Sequence, residues 1–199
     1  LLKKGYKVVS NDINDYFLKI IKDKVKKANL SLDVLDIRIE NWKNILYSKK
    51  YKDEEFEFAY ALGNSFPNYF FNREDREAAL RGFWRIIKSG GVLFFDTRNF
   101  DYMLSQKEKI LKNPENNFKY IGNNTYLKSK NYVIFPVKIE NNLIHWCAKS
   151  TLNKEYGCLD LWPATELRIK ELINESLSGF LLEVFYDYKR EKPKHYDFV

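Results

Sequence analysis

Two short apolar runs, each followed directly by a polar cluster, constrain the fold of this chain more than any other feature. Residues 56–61 (FEFAYA) precede 62–66 (LGNSF), and residues 90–95 (GGVLFF) precede 96–102 (DTRNFDY). Each apolar run is typical of a strand buried in a parallel sheet. Ligands of open α/β sheets bind at the carboxyl ends of the strands. The two clusters therefore predict one crevice that contains an amide, a hydroxyl and a guanidinium.

Strands and helices alternate along the first half of the chain. Apolar runs predict strands over 7–10, 32–39, 56–62 and 92–96. Helical spacing predicts one helix capped by Asn14 or Asp15 and a second that begins at about Glu74. We expect the second helix to reach about Lys88 and to end at the glycine pair 90–91. This alternation indicates a parallel sheet covered by helices.

The second half of the chain has a different pattern. Residues 131–135, 143–146 and 156–162 predict strands joined by polar turns, which we interpret as an antiparallel insertion over the crevice. A helix that begins within 163–166 and a strand over 180–188 should follow. We expect the inner face of that helix to carry Leu167, Leu172, Ile173 and Leu177. We therefore predict an α/β fold in three parts. These are a cofactor-binding core over 1–104, the insertion over 105–162, and a helix and strand over 163–199 that complete the core.

Composition and charge exclude several classes of protein. The 199 residues make about one domain, and no apolar run reaches the roughly 18 residues that a membrane span needs. The net charge of +7 comes mostly from lysines spread over helix faces and turns, so we do not expect a nucleic-acid partner. Cys147 and Cys158 lack the spacing of a metal site. We expect two reduced thiols, no bound metal and a cytoplasmic protein.

Polar side chains also follow the first two predicted strands. Asp12 precedes a helix, in the position of the acid that binds ribose hydroxyls in dinucleotide-binding folds; the alternative is a helix cap. Asn41 and Trp42 follow the second strand. There, an amide and an indole suit an adenine, by hydrogen bonding and by stacking, whereas Trp42 alone is more often part of the core or its rim.

The third and fourth strand ends carry the other candidates. Gly63 would let a ligand approach the backbone beside Asn64 and Ser65, although an ordinary polar turn is the alternative. Arg98 follows a very apolar strand, so its guanidinium should be partly buried and should need a planar anionic partner. Asp96 is the internal candidate for that partner. A substrate carboxylate, gripped by two hydrogen bonds, is the functional one.

Taken together, these segments resemble the class I S-adenosylmethionine-dependent methyltransferases, and more narrowly the glycine and sarcosine N-methyltransferases. Residues 5–12 are similar to the family's second strand, 39–42 to its adenine-contacting segment, 62–66 to its LGNSF stretch and 96–102 to its D-x-R-N-Y-D-Y stretch. The likeness is weaker after Leu104. The family's glycine-rich first loop does not occur in this sequence, so we expect a core without that loop and its strand.

The resemblance implies a Rossmann-like, mostly parallel sheet flanked by helices, with S-adenosylmethionine as the cofactor. The residues implied to contact the cofactor are Asp12, Asn41, Trp42, Leu62, Gly63 and Ser65. Those implied to bind a small amino acid such as glycine or sarcosine are Asn64, Arg98 and Tyr126, with Asn64 and Arg98 as the catalytic pair. Leu127 stands where the family has a second tyrosine, which leaves the acceptor open.

Two alternatives to this function stay open. One is a class I methyltransferase that acts on another small molecule or on RNA, which would share the cofactor half of the site. The other is a non-enzymatic module that binds the cofactor or nucleic acid. The partner expected from the resemblance is a small amine or amino acid, and both a monomer and a homo-oligomer are compatible with the sequence.

Overall fold

Parallel strands and helices alternate in the first half of the molecule, and an antiparallel sheet follows. The computed structural model describes residues 1–66, 72–112, 132–140, 143–150, 152–153 and 155–186. The elements in chain order are β1 Val8–Asp12, α1 Asp15–Lys27, β2 Leu35–Ile39, β3 Phe56–Ala61, α2 Arg73–Ile86, β4 Ile87–Phe95, α3 Phe100–Ser105, α4 Lys107–Lys112, β5 Tyr132–Glu140, β6 Leu143–Ser150, β7 Tyr156–Leu161 and α5 Glu166–Ser176, with short 3₁₀ helices at Leu2–Lys4 and Trp42–Asn44.

The strands form two parallel pairs and one antiparallel sheet. Strand β1 pairs with β2, and β3 pairs with β4. The registers set Asp12 beside Ile39 and Ala61 beside Phe95, so the polar residues that follow each pair of strands leave the sheet side by side. Strands β5, β6 and β7 pair in that order, all antiparallel. The prediction of an α/β fold with parallel strands is confirmed.

Side-chain caps explain where the three longest helices begin. Asn14, Asn72 and Thr165 precede α1, α2 and α5, and each accepts a hydrogen bond from a backbone N–H of the first turn. Such a cap satisfies one of the N–H groups that have no partner within the helix. The prediction that α1 begins after Asn14 is therefore confirmed.

The boundary between α2 and β4 differs from the prediction of a helix that reaches Lys88. The helix ends at Ile86, and β4 begins at Ile87, whose backbone is extended and which pairs with Phe56 of β3. The glycines lie inside the strand. A Cβ on Gly91 would lie 2.8 Å from the carbonyl oxygen of Glu57, so glycine allows the close approach of β4 to β3.

Two predictions near the carboxyl end are wrong. In the described part of the strand predicted over 180–188, residues 180–185 form no strand and only Tyr186 makes an isolated bridge, while Leu181 is 87% exposed. Alternating side chains predict a strand, but the segment forms one only where a neighbouring strand supplies backbone hydrogen bonds. On α5, Leu167 faces solvent instead of the core, and Ile169 is buried with Leu172 and Ile173.

One hydrophobic core connects the parallel strands, α2, α5 and the antiparallel sheet. Residues with no exposed surface come from each half of the chain, including Leu80 of α2, Phe100 of α3 and Ile144 of β6. The division into parts at residues 104 and 162 stays a prediction. No helix within the described ranges is long and apolar enough to cross a membrane.

The two cysteines form a disulfide, so the prediction of two reduced thiols is wrong. Cys147 of β6 lies directly opposite Cys158 of β7, and their Cα atoms are 4.1 Å apart. Their separation of 11 residues does not reveal this, because the register of the two strands brings them together. Disulfides are more typical of oxidising compartments, and the cytoplasmic location stays a prediction.

Candidate functional site

The turn after β3 has an unusual backbone. Gly63 and Asn64 both have a positive φ, of 78° and 59°. Left-handed backbone is common for glycine and uncommon for other residues, among which asparagine tolerates it best. A Cβ on Gly63 would meet no atom of the described residues within 4 Å, whereas the Asn64 side chain is buried. The turn thus opens its backbone to one side and buries its amide on the other.

A buried aspartate fastens this turn to the end of β4. The backbone N–H of Asn64 donates a 2.6 Å hydrogen bond to Oδ1 of Asp96, and the N–H of Asp96 donates to the carbonyl of Ala61 at 3.3 Å. Asp96 and Asn64 are each 3% exposed. A hydrogen bond to a carboxylate is stronger than one between neutral groups. The ends of β3 and β4 therefore keep a fixed relative position.

The amide of Asn64 orients the residues after Asp96. Its Oδ1 accepts a hydrogen bond from the backbone N–H of Arg98 at 3.0 Å and one from the hydroxyl of Thr97 at 3.4 Å. The same hydroxyl lies 3.3 Å from the carbonyl of Ala164, just before α5. The structure thus places Asn64 beside Arg98. The contact is a hydrogen bond from the backbone N–H of Arg98 to the Asn64 side chain.

Other side chains in the 96–102 stretch also have structural roles. Asn99 caps α3 by accepting from the N–H of Tyr102 at 2.9 Å, and Phe100 is fully buried. Oδ2 of Asp101 accepts from the backbone N–H of Glu166, at the first turn of α5, at 3.1 Å. These contacts hold the loop that carries Arg98 between β4 and α5.

The guanidinium of Arg98 points toward the antiparallel sheet. Its Cζ atom lies 5.6 Å from the centre of the Trp146 ring, within the range of a cation–π contact. Trp146 belongs to β6 and is 6% exposed. Trp146 is not among the predicted site residues, because its contact with Arg98 depends on how β6 packs against the loop after β4.

The end of β1 has a different arrangement. Oδ1 of Asp12 accepts a 2.8 Å hydrogen bond from the N–H of Asn14, and Asn14 itself caps α1. Asp12 is half-buried, and its Oδ2 has no hydrogen-bond partner in the part of the chain that the structure describes. The cap of α1 is therefore Asn14 and not Asp12. One carboxylate oxygen of Asp12 remains available to a ligand.

Asn41 and Trp42 follow β2 and begin the second 3₁₀ helix. Oδ1 of Asn41 caps that helix through the N–H of Lys43 at 3.1 Å, and its Nδ2 has no partner among the described residues. Trp42 is partly buried and packs edge-to-face on Phe83 of α2, with ring centres 5.4 Å apart. Trp42 therefore lies at the rim of the core, the position that the sequence analysis gave as the alternative to stacking on an adenine.

An ion pair holds the segment that follows β2. Arg38 donates two hydrogen bonds to the carboxylate of Glu55, at 2.6 and 2.9 Å, and lies over the ring of Tyr51 at 4.7 Å. Hydrogen bonds from Arg38 lower the pKa of Glu55, and burial raises the pKa of Tyr51 to about 12. These contacts join β2 to the loop before β3 and stabilise both.

The remaining candidates lie in two places. Leu62 is 43% exposed, and the Ser65 hydroxyl donates to its carbonyl at 2.6 Å, so this pair forms the open side of the β3 turn. Tyr126 lies outside the described residues. Asp12 and Asn41 thus each keep one polar atom without a partner among the described residues, and Gly63 leaves backbone open at the β3 turn.

Fold and sequence comparisons agree on the class of protein. Residues 1–95 match the family described as a methyltransferase domain. An S-adenosylmethionine-dependent methyltransferase from Clostridium acetobutylicum has the same fold, with a TM-score of 0.63 and 17% identity over 96% of this chain and 71% of that one. The first 95 residues are therefore similar to a methyltransferase domain, and the fold is that of a solved S-adenosylmethionine-dependent methyltransferase.

Several relatives in sequence are named for amino-acid substrates. A glycine/sarcosine N-methyltransferase of Aphanothece halophytica is 27% identical over 176 residues, which cover 88% of this chain and 59% of the relative. A glycine N-methyltransferase of Mus musculus is 31% identical over 53% of this chain and 37% of the relative. The chain thus spans well under two thirds of the length of these relatives.

Proposed function

We propose that this methyltransferase transfers a methyl group from S-adenosylmethionine to the amine of a small amino acid such as glycine or sarcosine. The observation that carries the proposal is Arg98, whose backbone is fixed by Asn64 and whose guanidinium lies beside a buried tryptophan. A guanidinium is the side chain best suited to a planar carboxylate. The names of the relatives support the same class of acceptor.

The cofactor half of the proposed site consists of the ends of β1 and β2. The bound cofactor supplies an electrophilic methyl group. Oδ2 of Asp12 can accept hydrogen bonds from ribose hydroxyls, and Nδ2 of Asn41 can donate to the base. Trp42 borders the same strand end, and the open backbone at Gly63, with Leu62 and Ser65, would border the ligand from β3.

The acceptor half consists of the ends of β3 and β4. Arg98 would bind the carboxylate of the amino acid with two parallel hydrogen bonds, which leaves the neutral amine free to attack. Asn64 would keep Arg98 in place and border the acceptor. Tyr126, outside the described residues, is proposed as an acceptor-binding residue from the family resemblance alone. Holding reactants in the correct orientation can lower a barrier by about 7–11 kcal/mol, so this mechanism needs no strong general base.

Other features of the protein belong to the same proposal. The partner is a small amine or amino acid, and neither nucleic acid nor a membrane is required. A cytoplasmic location and a homo-oligomer are compatible with this function. The whole activity is proposed for a chain that covers 59% of the relative from Aphanothece halophytica.

Calorimetric titration with S-adenosylhomocysteine tests the cofactor half. We expect binding in the wild type and a loss of about tenfold or more in Asp12→Ala, because each lost hydrogen bond to a charged group costs about 1.5–3 kcal/mol. Asp15→Ala is the matched control, since Asp15 is an exposed acid on α1 that pairs with Lys19. Equal affinities for wild type and Asp12→Ala would contradict the proposed site.

A panel of acceptors tests the other half. Glycine, sarcosine, dimethylglycine, methylamine and RNA would each be incubated with the protein and a cofactor labelled in its methyl group. We expect label in glycine or sarcosine and much less in methylamine, which has no carboxylate for Arg98. Label in RNA alone would favour the other class I methyltransferase function.

A further inference from the structure

We propose that Trp146 is a positioning residue that fixes the Arg98 guanidinium in the orientation that binds the acceptor carboxylate. This inference rests on the proposed function, and it assigns part of the acceptor site to the antiparallel sheet. It begins from one contact, the 5.6 Å between the Cζ atom of Arg98 and the centre of the Trp146 ring.

The contact joins the two groups that form the strongest pairs of this type. The indole has the most favourable ring face for a cation, and arginine is the cation found there most often. The Trp146 ring is 6% exposed, so water screens the attraction little. A guanidinium that lies over a ring keeps its N–H groups free of the ring, because they point outward in the guanidinium plane. They can still bind a carboxylate there.

Trp146 is held firmly by the sheet around it. It lies on β6, the middle strand, between Pro136 of β5 and Leu159 of β7 in the pairing register. Ile144, two residues earlier on the same face of the strand, has no exposed surface. The next residue, Cys147, is covalently bonded to β7. The ring is therefore a fixed surface against which a flexible side chain can rest.

Arg98 is thereby held at both ends. The amide oxygen of Asn64 holds its backbone N–H at 3.0 Å, and Trp146 contacts the far end of the side chain. An arginine side chain has many rotamers in solution, and restricting them before the substrate arrives lowers the entropic cost of binding. Without Trp146, the expected result is weaker acceptor binding, with the chemical step little changed.

Steady-state kinetics of three variants test this role. We expect Trp146→Leu to raise the KM for glycine about tenfold, the range of a desolvated cation–π contact, and to change kcat little. Trp146→Phe keeps a ring face and should recover most of the affinity. Trp84→Leu is the matched control, because Trp84 lies on α2, is 38% exposed and packs on Phe180. With methylamine, which has no carboxylate, we expect all three variants to have the same KM.

The outcomes separate this inference from the proposed function. If Arg98→Lys loses activity with glycine while Trp146→Leu keeps the wild-type KM, the role of Trp146 is wrong and the proposed function stands. If the wild type methylates no amino acid, both fail. If Trp146→Leu does not fold, the NMR spectrum of the wild type decides. An Arg98 Nε–H resonance shifted upfield by the ring supports the contact, and an unshifted one overturns it.

Discussion

The two pairs of parallel strands end in opposite ways. After β1 and β2, Asp12 and Asn41 each bond one atom to a nearby backbone N–H and leave another atom without a partner among the described residues. After β3 and β4, the polar side chains of Asn64 and Asp96 are buried and bond to each other's segment. The β1–β2 end therefore keeps polar atoms available to a ligand, whereas the β3–β4 end uses its polar side chains in hydrogen bonds within the protein.

The difference shows that polar residues at a strand end can serve two purposes. At the β1–β2 end they are available to a ligand, so their removal should affect binding more than folding. At the β3–β4 end they fix the backbone around one side chain, Arg98. Their removal should therefore affect folding first and function second. Four predictions test this contrast, beginning with the largest effect.

The largest effect is expected for Arg98→Lys. An ammonium makes no planar fork, so the variant loses the bidentate contact with the acceptor carboxylate. We expect kcat/KM for glycine to fall about 100-fold. The variant loses two charge-assisted hydrogen bonds, and the lysine ammonium replaces only part of their free energy. Initial rates with labelled cofactor measure it. The affinity for S-adenosylhomocysteine should stay at the wild-type value, and a parallel loss there would break the contrast between the two ends.

The second prediction concerns the sheet beside Arg98. The double substitution Cys147→Ser with Cys158→Ser removes a cross-link that closes a loop of 11 residues. We expect it to lower the free energy of unfolding by about 2–3 kcal/mol, the loop-closure entropy of a ring of this size. Urea denaturation gives this value. Titration of thiols in the unfolded wild type should find none before reduction, and two free thiols would contradict the disulfide.

The third prediction compares two aspartates. Asp96→Ala leaves the buried N–H of Asn64 without its acceptor, so we expect the free energy of unfolding to fall by about 1–3 kcal/mol. Asp12→Ala removes a half-buried side chain with one local bond, and we expect a change of about 0.5 kcal/mol. Urea denaturation of both variants tests the difference. Equal losses would show that the two strand ends depend on their acids to the same degree.

The smallest effect is a pH dependence from the loop before β3. Arg38 lowers the pKa of Glu55, so the charged carboxylate stabilises the folded state. This contribution is complete above the unfolded pKa of about 4.3 and is lost as the pH falls through the lower folded pKa. We expect Glu55→Gln to lose about 1–2 kcal/mol at neutral pH and to show a flatter decline in acid. Urea denaturation from pH 7 to below 4 measures both slopes, and parallel curves would contradict the role of Glu55.

Much of this arrangement could be predicted from the sequence because its causes are local. An apolar run followed by polar residues predicts the end of a buried parallel strand. Asp12, Asn64 and Arg98 are therefore recognisable as strand-end residues from the sequence alone. The start of α1 followed from Asn14, since a cap depends only on the next few residues.

The remaining features depend on contacts between distant segments. Cys147 faces Cys158, and Trp146 approaches Arg98, because of the register and packing of β6. Helix α2 ends at Ile86 because pairing with Phe56 extends β4 backward. The internal bonds of Asn64 were also not predictable, since the same residue after a strand is equally compatible with a ligand contact.

The left-handed backbone of Asn64 has a consequence for how this position tolerates change. The residue must adopt a φ of 59° and also supply a short side-chain acceptor to Arg98. Glycine meets the first demand without the second, and glutamine or serine meets the second only at the cost of backbone strain. Aspartate meets both, but it would add a second buried negative charge near Asp96. Asparagine is thus the one residue type that satisfies the backbone, the hydrogen bonds and the local charge together.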